Sequence, residues 1–100
     1  MELKQTIKLG MLLDIYGALL TDKKSEMLSM YVNDNMSYQE IADVLNISKP
    51  AVLDSLRVAQ NKLEMLEKSL KVLEFRQKLE GLVNSSTNLK QDLISLLKEY

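Results

Sequence analysis

The stretch SYQEIADVLNISKPAVLDSLRVAQNKL, residues 37–63, decides the fold of this chain. It opens with a capping box, in which the Ser37 hydroxyl accepts from the Glu40 amide and the Glu40 side chain reaches back to Ser37. Apolar residues then recur at spacings of three and four, the period of an amphipathic helix. The stretch therefore predicts a short helix that begins after Ser37.

A tight turn follows this helix and leads into a second one. Asn46 is, after glycine, the residue most able to adopt the left-handed backbone that the turn needs. Ser48 caps the second helix, and Pro50 lies in its first turn, where a missing N–H costs little. Ala42, one turn before Asn46, is small enough to let the two helices cross closely. These features predict a helix-turn-helix over about residues 37–57, with buried positions at Ile41, Leu45, Ile47, Val52 and Leu56.

Helices are also predicted before this motif. The chain has three Gly and one Pro in 100 residues, and its Leu, Met, Lys, Glu and Gln favour helix. A second helix of the chain is expected over about residues 22–32, with Thr21 as its N-cap. The first is expected from about residue 3 to 20, with one apolar face formed by Ile7, Met11, Leu12, Ile15 and Leu19.

The second helix of the motif has no evident stop before Gly81, so we predict one long helix over about residues 48–80. Apolar residues along it alternate spacings of three and four, like the a and d positions of a coiled coil. From this seam we predict a homodimer interface formed by Leu63, Leu66, Leu70 and Leu73. After a loop of turn-forming residues, a last helix is expected over about residues 88–99. The prediction is an all-α single domain of five helices over residues 1–100.

Composition excludes most catalytic chemistry. The chain has no Cys and no His, which rules out Cys/His zinc sites, thiolate nucleophiles and Ser-His-Asp arrangements. No cluster of acids on one helical face predicts a metal site. We therefore expect a non-enzymatic protein with no catalytic residues, no metal and no cofactor.

The apolar runs near the N-terminus do not predict a targeting segment. They are broken by Lys8 and Asp14, and no small-residue cleavage site follows them. This pattern indicates neither a signal peptide nor a membrane span. The absence of Cys fits a reducing compartment, so we expect a cytoplasmic protein without a membrane partner.

Charge is unevenly distributed along the chain. The formal net charge is −1, from 13 Lys and Arg against 14 Asp and Glu. Residues 1–47 hold 4 basic and 7 acidic residues, whereas residues 48–80 hold 7 basic and 5 acidic residues. Proteins dedicated to nucleic acid usually have a larger basic excess, because phosphate contacts supply most of their affinity. Charge therefore favours a nucleic-acid partner only modestly.

The first turns of the second motif helix are where a duplex reader meets base edges and phosphates. Lys49 and Arg57 suit phosphates, whereas Leu53 and Asp54 do not suit a phosphate backbone. The residues alone leave open whether the motif reads nucleic acid or serves as a scaffold for a protein partner. We predict four nucleic-acid contacts: Gln39, Ser48, Lys49 and Arg57.

Two related groups of proteins share these patterns. The segment YQEIADVLNISKPAVLDSLRVAQNKL resembles the promoter-reading helix-turn-helix of sigma-factor region 4, which commonly has I-A-x-x-L, Gly or Asn, I-S and V-x-x-x-L in this order. The longer segment LLDIYGALLTDKKSEMLSMYVNDNMSYQEIADVLNISKPAVLDSLRVA is similar to the YlxM family of small bacterial helix-turn-helix proteins. The resemblance covers about residues 7–75.

The resemblance to the YlxM family implies a sigma region 4-like, all-helical fold and a regulatory protein associated with the signal recognition particle pathway. Its implied partners are duplex DNA or signal recognition particle RNA, and the particle's proteins. Family members often have I-S-R-Q-A-V where this chain has I-S-K-P-A-V. Lys49 keeps the charge, but Pro50 removes a side chain that could bond to a base or phosphate. A dimeric DNA-binding transcription regulator and a helical adaptor that binds only protein therefore stay as alternatives.

Overall fold

A computed structural model describes residues 3–85 and 87–100 of the chain, and these residues contain helices and no strand. The all-α prediction is confirmed for them. The α-helices are α1 (Leu3–Tyr16), α2 (Asp22–Val32), α3 (Tyr38–Leu45), α4 (Lys49–Leu70), α5 (Val72–Ser85) and α6 (Leu89–Glu99). A short 3-10 helix, Gly17–Leu19, follows α1.

The described residues form six α-helices where the sequence predicted five. The predicted long helix is divided at Lys71, whose φ of 55° is left-handed and breaks the α-helical backbone. The Lys71 carbonyl accepts from the Phe75 amide at 3.0 Å and so starts α5. The predicted loop from Gly81 is also wrong in its first part, because α5 continues to Ser85. Side-chain periodicity runs through residue 71 without a glycine or proline, and so gives no sign of the break.

The described residues up to Leu70 form one unit, and those from Lys71 onward form another. In the first unit, α4 packs against α1, α2 and α3. The core is apolar and includes Leu12, Met27, Leu28, Ile41, Val52 and Leu63, each at most 2% exposed. Burial of such side chains is the main source of stability for a unit of this size.

Helix α1 buries a different face from the predicted one. Ile7 and Leu19 are 52% and 53% exposed, and of the predicted face only Leu12 is buried. The buried residues of α1 are Leu9, Leu12, Leu13 and Tyr16. This second set also has spacings of three and four, so periodicity alone does not select between the two faces.

In the second unit, α5 and α6 form a helical hairpin. The Tyr100 hydroxyl donates to Glu74 Oε2 at 2.6 Å, and the Tyr100 ring meets Phe75 edge-on at 5.1 Å between centroids. Lys78 and Glu99 form an ion pair at 3.4 Å. Helix α6 begins after Asn88, whose side chain accepts from the Gln91 amide.

Candidate nucleic-acid interface

The predicted turn between α3 and α4 is present in detail. Ser37 and Glu40 form the capping box. The Glu40 amide donates to Ser37 Oγ at 3.1 Å, and the Ser37 amide donates to Glu40 Oε1 at 3.0 Å. Because the Ser37 amide and hydroxyl both bond to it, the pKa of the Glu40 carboxyl is lowered from its usual value. Asn46 has the left-handed φ of 53°, and Ala42 is 2% exposed where the helices cross. Helices α3 and α4 therefore form a helix-turn-helix, with α4 in the position of the recognition helix.

Ser48 and Lys49 lie at the exposed start of α4. The Ser48 hydroxyl accepts from the Ala51 amide at 3.2 Å, which is the predicted N-cap. This contact uses an oxygen lone pair, so the hydroxyl hydrogen can still donate to a ligand. Lys49 is exposed, and within residues 3–85 and 87–100 its side chain has no ion pair. A lysine at the positive end of a helix dipole does not stabilise that helix, but it adds to the attraction for an anion.

Arg57 lies two turns further along α4 and is held by an acid of the same helix. Its Nη2 donates to Asp54 Oδ1 at 2.7 Å, and both side chains are about two-thirds exposed, at 69% and 66%. Exposed ion pairs of this kind contribute at most about 1 kcal/mol. A phosphate can therefore replace Asp54 as the partner of Arg57 at small cost.

Gln39, the fourth predicted contact, lies at the exposed start of α3. Its Nε2 donates to Asp43 Oδ1 at 2.9 Å on the same helix. An amide nitrogen carries two hydrogens, so one stays available to a phosphate. Thus two of the four predicted contacts, Gln39 and Arg57, are paired with an aspartate one turn away.

A groove of about 560 Å³ runs beside the exposed stripe of α4, and we call it the recognition groove. Tyr31 of α2 and Tyr38 of α3 line it from one side. Residues of α4 line it from the other, among them Pro50, Leu53, Arg57, Gln60 and Asn61. The predicted phosphate contact Arg57 therefore borders a concave surface that sequence reasoning missed.

Tyr31 and Tyr38 form a stacked pair in this groove, with ring centroids 5.2 Å apart and ring planes 16° from parallel. Their hydroxyls lie 3.4 Å apart. The hydrogen bond to Tyr38, helped by partial burial, raises the pKa of Tyr31 to about 12, so its hydroxyl stays neutral at physiological pH. The one sequence signal for this pair is that two of the chain's four tyrosines flank the turn between α2 and α3.

The leucines of the predicted dimer interface do not share one environment. Leu63 is 0% exposed and packs in the core of its own unit, so it is closed to a partner in this structure. Leu73 is also buried, at 6% exposed. Leu66 is half-buried and Leu70 is 53% exposed. Of the four, these two leave apolar surface that a second copy can contact.

Among residues 3–85 and 87–100, no three acidic side chains lie close enough to hold a metal ion. Within these ranges, no helix combines the length and the apolar character that crossing a bilayer requires.

The capped turn between α3 and α4 and the exposed start of α4 are those of a helix-turn-helix protein. A helical hairpin, α5 and α6, follows the recognition helix in the chain. The chain belongs to the family described as "Putative helix-turn-helix protein, YlxM / p13 like", whose model matches residues 3–99. This finding confirms the resemblance to the YlxM family.

Relatives from several bacteria agree with this family. The chain is 39% identical over 100 residues to a UPF0122 protein of Mycoplasma capricolum, across 97% of this chain and 88% of that protein. It is 41% identical over 69 residues to a UPF0122 protein of Caldanaerobacter subterraneus, across 69% of this chain and 59% of that protein. It is 40% identical over 70 residues to a UPF0122 protein of Lacticaseibacillus casei, across 70% of this chain and 62% of that protein.

Proposed function

We propose that this protein is a non-enzymatic nucleic-acid-binding protein of the cytoplasm, and that it regulates the signal recognition particle pathway by binding the particle's RNA. The observation that carries nucleic-acid binding is the placement of Lys49 and Arg57 on one exposed stripe of the recognition helix. The pathway assignment is supported by the resemblance to the YlxM family alone. The particle's proteins are further proposed partners.

The contact surface in this proposal consists of Gln39, Ser48, Lys49 and Arg57. Lys49 and Arg57 bind phosphates by charge, while Ser48 and Gln39 donate from the turn and from the start of α3. Binding of this kind releases counterions from the nucleic acid, so the affinity falls as the salt concentration rises.

The test is a titration of signal recognition particle RNA and of a duplex DNA, followed by fluorescence anisotropy across a salt series. Lys49→Ala and Arg57→Ala are expected to weaken binding and to reduce the salt slope by about one each. Arg76→Ala is the matched control, since Arg76 is also exposed and paired with an acid of its own helix, Glu80. Unchanged affinity in both α4 variants would show that this surface does not bind the nucleic acid. No binding to either nucleic acid would favour the alternative of an adaptor that binds only protein.

A second candidate is a homodimeric regulator of transcription that binds duplex DNA as sigma region 4 does. It is favoured by the exposed apolar surface of Leu70 near the end of α4. Such a dimer would bind two half-sites about 10 base pairs apart. Sedimentation that finds a monomer at micromolar concentration, with and without DNA, would exclude it.

A further inference from the structure

The recognition groove offers contacts beyond the four predicted ones, of which only Arg57 lines it. Three buried leucines, Leu9, Leu28 and Leu56, reach its base, and each is at most 7% exposed. Its volume of about 560 Å³ falls within the range of small-ligand pockets in proteins. A ligand for this groove must therefore place an apolar part against its base.

The tyrosine side of the groove favours a flat ligand. The rings of Tyr31 and Tyr38 stack on each other at 16° from parallel, so each covers one face of the other, and a further flat ring can extend the stack only from an outer face. Their hydroxyls lie 3.4 Å apart, within reach of a weak hydrogen bond between the two residues. Aromatic platforms bind nucleobases by stacking, and they do so with little dependence on sequence because every base has a π-face.

The α4 side of the groove supplies polar groups for the edge of a ligand and one arginine that can bind an anion. Gln60 and Asn61 supply amide groups that both donate and accept, as the edges of nucleobases require. Arg57 lies one turn before them and is paired with Asp54, which also lines the groove. A phosphate can replace Asp54 as its partner at small cost because the pair is exposed. Flat faces, a polar edge and an attached anion are together the properties of a nucleotide.

The concave shape of the recognition groove admits an unpaired base and not a base inside a duplex. In a duplex, both faces of a base are covered by its stacked neighbours, and a protein reaches only the base edge in a groove. A base can lie on an outer face of the Tyr31–Tyr38 pair only when it is unstacked and turned out of a helix, as in RNA loops and bulges.

We propose that the recognition groove binds one unpaired nucleobase of a single-stranded RNA segment. The base stacks on an outer face of the Tyr31–Tyr38 pair, and its edge bonds to Gln60 and Asn61. Its phosphate bonds to Arg57 in place of Asp54. This inference rests on the proposed function and names the part of the nucleic acid that the site selects.

The test uses the full chain and a short single-stranded RNA that contains one 2-aminopurine, alone and annealed to its complement. Stacking on the tyrosine pair is expected to change the fluorescence of the 2-aminopurine in the single strand. The double variant Gln60→Ala/Asn61→Ala and the variant Tyr31→Leu are expected to weaken single-strand binding by about fivefold to a hundredfold. Duplex binding should change by less than about twofold, since Lys49 remains.

Two further variants keep the test clear of folding effects. Tyr31→Phe keeps the ring and loses only the hydroxyl, so it should retain most of the single-strand affinity. Asn84→Ala changes an exposed amide of α5 and should bind like the wild type. Circular dichroism of every variant checks that the helices are intact. Asn61 is exposed, so its replacement by Ala does not disturb the core.

Three results would overturn the inference. One is equal affinity for single strand and duplex with no change in 2-aminopurine fluorescence, and another is a loss of both affinities together in Gln60→Ala/Asn61→Ala. In either case weaker binding by Lys49→Ala would leave the proposed function standing. The third is no binding to any nucleic acid, which would overturn both and indicate a protein ligand for the groove.

Discussion

The Asp54 carboxylate accepts a hydrogen bond at 2.7 Å from the guanidinium of Arg57, one turn further along the recognition helix. Gln39 and Asp43 repeat this arrangement at 2.9 Å on α3. In each pair, an acid occupies a donor that nucleic acid would otherwise bind. The recognition surface therefore has less positive potential than its lysine and arginine alone would give, in agreement with the chain's net charge of −1. A surface of this kind disfavours indiscriminate phosphate binding and leaves selection to the contacts beside it.

Replacement of Asp54 by Asn is expected to strengthen nucleic-acid binding. The change frees Arg57 and removes a negative charge beside it, so the affinity should rise by about threefold to tenfold and the salt slope by up to about one. Stability should change by less than about 1 kcal/mol because the pair is exposed. Anisotropy titrations at two salt concentrations measure the effect. Glu80→Gln, which frees Arg76 of α5, is the matched control, and an equal gain there would mean that only net charge matters.

The left-handed turn residue Asn46 gives a prediction about stability. Ala at its φ of 53° is strained, so Asn46→Ala should lower the free energy of unfolding by about 1 kcal/mol. Gly tolerates this conformation, so Asn46→Gly should stay within about 0.5 kcal/mol of the wild type. Urea unfolding followed by circular dichroism measures both, with Asn84→Ala in α5 as a control. A loss as large for Gly as for Ala would show that the asparagine side chain, and not its backbone, holds the turn.

The capping box predicts a dependence of stability on acid pH. The Ser37 amide and hydroxyl lower the pKa of Glu40 in the folded state from its usual 4.5. The folded state therefore binds this proton less readily than the unfolded chain does. The stability that the Glu40 carboxylate contributes is present above pH 4.5 and is lost as the pH falls through the folded pKa.

Glu40→Gln tests this dependence because its side chain does not titrate. The difference in unfolding free energy between wild type and variant should be largest near neutral pH and should shrink as the pH falls from 4.5 through the lowered pKa of Glu40 in the folded state. Unfolding in urea across a pH series measures it. A difference that stays constant over the whole series would contradict a role for the carboxylate charge in the cap.

Two leucines of the coiled-coil seam are expected to respond very differently to truncation. Leu63 is fully buried, so Leu63→Ala should lower the free energy of unfolding by about 2 to 5 kcal/mol. Leu70 is 53% exposed, and Leu70→Ala should cost less than about 1 kcal/mol in the monomer. Unfolding at several protein concentrations measures both. A cost for Leu70→Ala that grows with concentration would indicate that a second copy covers Leu70, as the proposed homodimer requires.

The sequence alone determined the helix-turn-helix, because its signals are local. The capping box of Ser37 and Glu40, the left-handed Asn46 and the cap at Ser48 each depend on residues within four positions of one another. Such interactions form in the same way whatever the rest of the chain does. The position of Lys49 on the exposed start of the recognition helix follows from them.

The tertiary structure alone decided the face of α1 that is buried, the break at Lys71 and the recognition groove. Helix α1 carries two apolar stripes of equal period, and only its neighbours select the one with Leu9 and Leu13. No glycine or proline at or beside Lys71 indicates its left-handed backbone in the sequence. Tyr31, Tyr38 and Gln60 line one groove because α2 and α3 pack against α4. This packing joins residues more than twenty positions apart, which local patterns do not encode.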